Sequence, residues 1–298
     1  MEHKDKILIL TPVKDAERFL DNYFQSLHLL TYPHGLISLG LLESDSSDNT
    51  YTNLVQRLPG LDKDFRSASV WKKDFGFHLP LGTPRWTSYL QKERRTVLAK
   101  SRNHLLFRAL DDEDWVLWLD VDVVEYPHDI IERLLATGRD IVQPHCVTEY
   151  GGSSFEQNAW RDKGRYHLDQ MRKEGELVKL DAVGGTMLLI KADIHRDGLI
   201  FPPFPHGGKN PFIRGARFQA TKRDIISLLL LKPEAIKVLR AMPKKKLLDL
   251  TKRYDGEIET EGLGIMAHDM GHECWGMPNL EVKHAPIHER PLKYEQSP

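Results

Sequence analysis

Cysteine is nearly absent: Cys146 and Cys274 are the only two in 298 residues. That excludes a disulfide-stapled scaffold and a four-thiolate zinc site, and leaves open whether the two pair. Long apolar runs are also missing. The longest, Trp115 to Leu119 and Ile225 to Leu231, have five and seven residues, against roughly 20 needed to cross a bilayer. Met1-Glu-His-Lys-Asp5 offers no signal-peptide core, so the expectation is a soluble protein or one whose anchor has been trimmed. Nor is there a bulk excess of one charge, with 42 basic side chains against 43 acidic ones. This argues against electrostatic capture of nucleic acid, and 40% apolar content argues against disorder. No G-x-G-x-x-G, Walker A, H-E-x-x-H or G-x-S-x-G motif occurs, which removes weight from dinucleotide oxidoreductases, P-loop enzymes, zincins and α/β-hydrolases.

Alternating short strands and amphipathic helices are present instead. Lys6-Ile-Leu-Ile-Leu-Thr-Pro12 is a continuous apolar run, as expected of a strand buried on both faces. Phe19, Tyr23, Phe24, Leu27 and Leu30 recur at helical spacing up to Tyr32-Pro33. A strand over 36–42 runs into Glu43-Ser-Asp-Ser-Ser-Asp-Asn-Thr50, a polar turn able to cap the next helix. Residues 59–90 lack clean periodicity and read as a long excursion over the sheet edge. A helix follows over 92–110, with Leu98, Leu105 and Ala109 on one face and Arg94, Arg95 and Arg102 elsewhere on its surface. Trp115 to Leu119 reads as a buried strand, 129–135 as a helix, 140–147 as a strand, and 177–191 as alternating and then wholly apolar sequence. The order predicts an α/β sandwich with one continuous core, a single domain over 1–298. Residues 207–255 stand apart: thirteen Lys/Arg against four Asp/Glu give +9, so the rest carries −10. They read as a basic helical insert whose apolar faces either pack on the host or make a peripheral membrane contact.

Chemistry concentrates in carboxylates at strand ends, where open α/β sheets hold ligands. Asp120-Val-Asp122 ends an apolar strand, and two carboxylates at that spacing suit a hard divalent cation. The same spacing at Asp62/Asp64 and Asp112/Asp114 ends no buried strand and reads as solvated turns. Asp45 and Asp48 either accept hydrogen bonds from a nucleoside or cap a helix. Arg94, Arg95 and Arg102 either neutralise a diphosphate or line a solvated helix face. His284, after a late strand, would complete the carboxylate site. Glu259 and Glu261, before Gly262-Leu-Gly264, read as a capped helix start or as a general base or acceptor site.

Leu10-Thr-Pro-Val-Lys-Asp15, Asp45-Ser-Ser-Asp48, Lys73-Asp-Phe-Gly76, Arg94-Arg95 with Ser101-Arg-Asn103, Trp115-Val-Leu-Trp-Leu-Asp-Val-Asp122, Val183-Gly-Gly-Thr186, Phe201-Pro-Pro-Phe204 and Ile258-Glu-Thr-Glu-Gly262 together resemble, in order, the fungal mannan-polymerase mannosyltransferases, glycosyltransferase family 62. The resemblance covers about 7–206 and 257–288. It implies a GT-A fold, a Rossmann-like mixed sheet flanked by helices, that transfers mannose from GDP-mannose with Mn²⁺ or Mg²⁺ to a glycan or glycolipid acceptor with retention. It implies Asp120 and Asp122 as metal and diphosphate carboxylates, with His284 as a further metal ligand in Pro278-Asn-x-x-Val-x-His284. Thr11, Pro12, Asp15, Asp45, Arg94 and Arg102 would surround the nucleotide, and Asp181, Glu259 and Glu261 are the remaining catalytic candidates. The family's members are anchored Golgi proteins without the basic insert. The setting here is therefore either the Golgi lumen, if an anchor was removed, or the cytoplasm and a membrane surface. Homo- or hetero-oligomers are both open. Two other readings stand beside this one: a transferase using another nucleotide sugar, and a non-catalytic sugar-nucleotide or glycan-binding subunit of a complex.

Overall fold

The computed structural model describes residues 4–78, 88–207 and 256–286. The first strand, β1 (Ile7–Val13), is followed by α1 (Leu20–His28), β2 (Ile37–Glu43), α2 (Thr50–Asp64) and β3 (Ser67–Lys72). Next come α3 (Ser88–Ala109), β4 (Trp115–Leu119), β5 (Val123–Glu125), α4 (Ile130–Ala136) and β6 (Ile141–Val147). Two short strands, β7 (Trp160–Arg161) and β8 (Tyr166–His167), form a separate ribbon. After β9 (Val178–Leu180) come β10 (Met187–Lys191), α5 (Ala192–Arg196), α6 (Glu259–Asp269) and β11 (Cys274–His284).

Among the described residues the main sheet has the order β3-β2-β1-β4-β10-β6-β11-β5, with β9 paired to β11. The β3-β2-β1-β4 half is parallel, the Rossmann-like part. At β10 the sheet changes character, because β10 is antiparallel to both β4 and β6. This mixed sheet flanked by helices is the GT-A architecture that the resemblance implies.

The period of two along β1 divides the core. Ile7, Ile9 and Val13 join α1, α2 and α4 on one face. Leu8 and Leu10 join Leu105 and Leu106 of α3, Trp118, Phe201 and Leu263 of α6 on the other. Both faces are covered, so strands at the centre must be apolar throughout, as β1 and β4 are.

Several expectations need correction. Residues 59–90 are not one excursion, since α2 continues through Pro59 to Asp64 and β3 adds a parallel edge strand. Pro59 cannot donate to the carbonyl of Val55, but Val55 is exposed, so water reaches that turn and the helix survives. The 177–191 segment is two strands, β9 and β10, separated by a bend over 181–186 that enters the site. Cys146 and Cys274 are both buried and unpaired as thiols. The basic segment falls largely on 208–255, outside the described residues. Among the described residues no helix is long and apolar enough to cross a membrane.

Candidate active site

β4 delivers Asp120-Val-Asp122 into a turn fixed from both sides. The Asp120 N–H donates to the Thr186 carbonyl (2.8 Å), Val123 N–H to the Asp120 carbonyl (3.2 Å), and Ala285 N–H to the Asp122 carbonyl (2.9 Å). With the backbone held, the two carboxylates engage different partners.

Asp120 Oδ1 accepts from Arg102 Nη2 at 3.0 Å. Arg102 is a correction: only 4% of its side chain is exposed, so it does not lie on the helix surface. Its guanidinium packs 5.5 Å from the Trp118 ring and 5.3 Å from the Phe201 ring. It also donates to the Gly185 carbonyl (3.2 Å) and has Nε 3.3 Å from Glu259 Oε1. Burial works against the Arg102 charge, but Asp120, Glu259 and Glu156 outweigh it and strengthen its hold on the proton. Asp120 shifts upward: burial dominates, Arg102 opposes it, and the charges of Asp122 and Glu156 add to it.

Asp122 Oδ1 lies 3.0 Å from His284 Nε2. Phe155 stacks on the His284 ring with centroids 3.9 Å apart, and His284 Nδ1 bonds the Ala285 carbonyl at 2.7 Å. Both ring nitrogens face acceptors, so Nδ1–H donates to the Ala285 carbonyl and Nε2–H to Asp122; a metal ligand would have to shed the Nε2 proton and keep the one at Nδ1. Burial lowers the His284 pKa, and the Asp122 hydrogen bond and charge more than reverse that. Among the described residues no three His, Cys, Asp or Glu side chains converge in a metal-holding cluster. A carboxylate and an imidazole nonetheless fit a divalent cation that keeps waters and takes its other ligands from a diphosphate, as Mg²⁺ and Mn²⁺ sites do.

The bend between β9 and β10 forms the adjoining wall. A Cβ on Gly184 would stand 2.1 Å from Glu156 Cγ, and one on Gly185 would stand 2.7 Å from Thr260 Cγ2 and 2.8 Å from Arg102 Nη2. The two glycines are therefore what admits these side chains. Glu259 opens α6 at φ +59° and is buried between Arg95 and Arg102. Glu261 accepts from Trp160 Nε1 (2.7 Å) and pairs with Arg95 (2.5 Å). Both glutamates stand in the first turn of α6, though no side chain caps that turn, and both oxygen sets are engaged by the fold.

The other sequence candidates lie at the same carboxyl edge or away from it. Thr11 Oγ1 bonds Tyr23 Oη at 2.6 Å in the interior, and Pro12 stands in register with Leu42. Asp15, at φ +48°, accepts from the Ser47 backbone (2.8 Å). Asp45 accepts from Phe75 N–H (3.0 Å) and Gly76 N–H (2.9 Å), so it builds the 74–76 turn. Burial raises its pKa, while these bonds and the charges of Lys14 and His78 bring it below the usual range. Asp48 accepts from Thr50 N–H (3.1 Å) but stands one residue before the N-cap Asn49, so it supports the helix start without capping it. Arg94 reaches Gln91 one turn back at 3.4 Å. Asp181 accepts from Asp162 N–H (2.7 Å) in the β7–β8 ribbon and is not gathered with Asp120. Glu156 was not legible beforehand: it lies in an aperiodic polar stretch, and only the fold brings it to Gly185.

A family model described as Anp1 matches residues 1–173 and 162–205. The mannan polymerase complex subunit mnn9 of Schizosaccharomyces pombe is 32% identical over 246 residues, covering 69% of this chain and 72% of that protein. The mannan polymerase II complex ANP1 subunit of Saccharomyces cerevisiae is 31% identical over 242 residues, 67% of this chain and 48% of its own length. Among solved structures, mannosyltransferase PcManGT from Pyrobaculum calidifontis, in complex with GDP-Man and Mn²⁺, superposes with a TM-score of 0.45 at 14% identity. That superposition covers 68% of this chain and 49% of the other, too partial to bear on function.

Proposed function

The chain belongs to the Anp1 family, and from that premise we propose that it is a retaining glycosyltransferase moving mannose from GDP-mannose to a mannose-containing glycan or glycolipid. The observation that carries this reading is the divergent pair at the end of β4, Asp120 on Arg102 and Asp122 on His284. Asp122 and His284 would hold a divalent cation, with Asp120 beside them. Such an ion neutralises a nucleotide diphosphate and assists its departure. The protein's own contribution is rigidity, since Arg102, Glu259 and the Thr186 carbonyl fix Asp120 before any substrate arrives.

Retention without a covalent intermediate suits this site. Glu259 and Glu261 are tied to Arg95, Arg102 and Trp160, and Asp181 to Asp162, so none of the three stands ready as a nucleophile. In the one-step route the bond from anomeric carbon to phosphate oxygen breaks as the acceptor oxygen bonds on the same face. The acceptor proton passes to the departing phosphate oxygen.

The test is transfer by the purified chain to a mannose oligosaccharide, with GDP release followed in Mn²⁺ and in EDTA. Turnover in Mn²⁺ that is lost in EDTA is the expected result. Equal turnover in both would overturn the metal-assisted reading. The relatives are named as subunits of mannan polymerase complexes, which supports a hetero-oligomeric setting. It also favours a second reading, a non-catalytic donor- or glycan-binding subunit. Donor-induced stabilisation with no release from GDP-mannose, GDP-fucose, UDP-glucose or UDP-N-acetylglucosamine would select that reading.

A further inference from the structure

Carboxylates crowd this site, yet nearly all are consumed by the fold. Asp120 is taken by Arg102, Asp122 by His284, Glu259 by Arg95 and Arg102, and Glu261 by Arg95 and Trp160. Glu156 is different. Its Oε2 is seated by two backbone donors, Gly185 N–H at 3.0 Å and Thr186 N–H at 3.2 Å. Among the described residues its Oε1 has one long contact, Asn158 N–H at 3.4 Å. The residue as a whole is half-buried.

The position is also enforced from several directions. Phe155 on one side is stacked on His284 and bonded through its N–H to the Cys146 carbonyl (2.9 Å). Ser154 before it is tied to His145 Nε2 (2.9 Å) and Asp169 (2.9 Å). Gly184 leaves no room for a side chain where Glu156 lies. Three consecutive residues are thus fastened to β6, to the metal-side histidine and to the β9–β10 bend. A carboxylate with one oxygen locked and the other offering lone pairs is suited to hydroxyl donors, the only hydrogen-bonding groups that a neutral hexose presents in number.

Resting on the functional reading above, we propose that Glu156 accepts hydroxyl groups of the transferred sugar through Oε1. It thereby acts as a positioning and specificity residue beside Asp120. Its role differs from that of the Asp120–Asp122 pair, because it reads the hexose and not the diphosphate.

Glu156→Gln tests this with the fold preserved, since a glutamine carbonyl still accepts from Gly185 and Thr186 while the second acceptor becomes a donor. Titrations of GDP and of GDP-mannose in Mn²⁺ are run on wild type and variant. The expected result is unchanged GDP affinity and a GDP-mannose affinity weaker by about tenfold or more, the usual cost of mispairing a charged acceptor. A complementary measurement needs no variant. GDP-mannose analogues lacking one hydroxyl at a time should bind wild type more weakly at one or two adjacent positions, and those analogues should show no further loss with Glu156→Gln. Equal loss for GDP and GDP-mannose, or full affinity for both, overturns the inference alone. A wild-type chain that binds no nucleotide sugar overturns the functional reading and this inference with it.

Discussion

Asp120 and Asp122 differ in what their removal leaves behind. Asp122→Ala takes the carboxylate from His284, which is buried but can shed its proton and stay neutral, so the expected outcome is loss of transfer by about 100-fold or more with a smaller stability cost than Asp120→Ala. Asp120→Ala leaves the buried Arg102 with Glu259 as its remaining ionic partner. It should therefore lose transfer and also stability, by about 3 kcal/mol, the scale of a broken buried pair. Asp120→Asn keeps an acceptor oxygen and separates the two effects in a urea titration. His195 makes a further prediction. It is buried, with Nδ1 on the Leu199 carbonyl (2.8 Å) and Nε2 facing Trp118 Nε1–H (3.4 Å), so it must be neutral to accept. Burial brings its pKa from 6.5 down to about 4, the Leu199 bond opposing only in part. Above about 6.5 its contribution is complete. As pH falls toward 4 the unfolded chain takes up a proton that the folded one refuses, and stability drops by about 3 kcal/mol at most. Urea midpoints measured across that range should fall more steeply in wild type than in His195→Gln.

At the scale of elements, the glycines set sharp limits. Gly185→Ala thrusts a methyl against Thr260 and Arg102 and should cost about 1–3 kcal/mol together with activity. Gly60→Ala is the contrasting control: it lies inside α2 with nothing within 4 Å of an added Cβ, and should gain about 0.5–1 kcal/mol. Chemical denaturation of both variants reads the two signs. Elements also show why the sequence was only partly readable. β1 and β4 announce themselves because strands covered on both faces must be apolar throughout. Arg102 deceived for the opposite reason. Its spacing from Leu98, Leu105 and Ala109 puts it on their stripe, but its charge argues for solvent, and only the convergence of Asp120, Glu259, Trp118 and Phe201 reconciles the two. Glu156 carried no local signal, because its partners are backbone groups distant in sequence.

For the whole molecule, a bound donor should appear as stability. Saturation at 100 times Kd adds about 2.7 kcal/mol, which in a domain of this size raises Tm by roughly 4 °C. Scanning fluorimetry with GDP-mannose and Mn²⁺ together should exceed the shift from Mn²⁺ alone, since the described residues offer that ion few ligands. Absence of any shift with all four donors would count against the donor site.

The position of β11 bears on how the chain is made. This last described strand lies inside the sheet, parallel to β6 and antiparallel to β5 and β9, and carries His284 at its end. On the ribosome the β1–β4 half can pair as it emerges, but β6 has an open edge until residues 274–284 are released, several seconds after β6 at typical elongation rates. During that interval a row of unpaired amides and carbonyls is available to any neighbouring strand. Nascent chains halted before residue 274 should thus be the species that aggregates or engages chaperones, and closure of the sheet and arrival of His284 become a single late event.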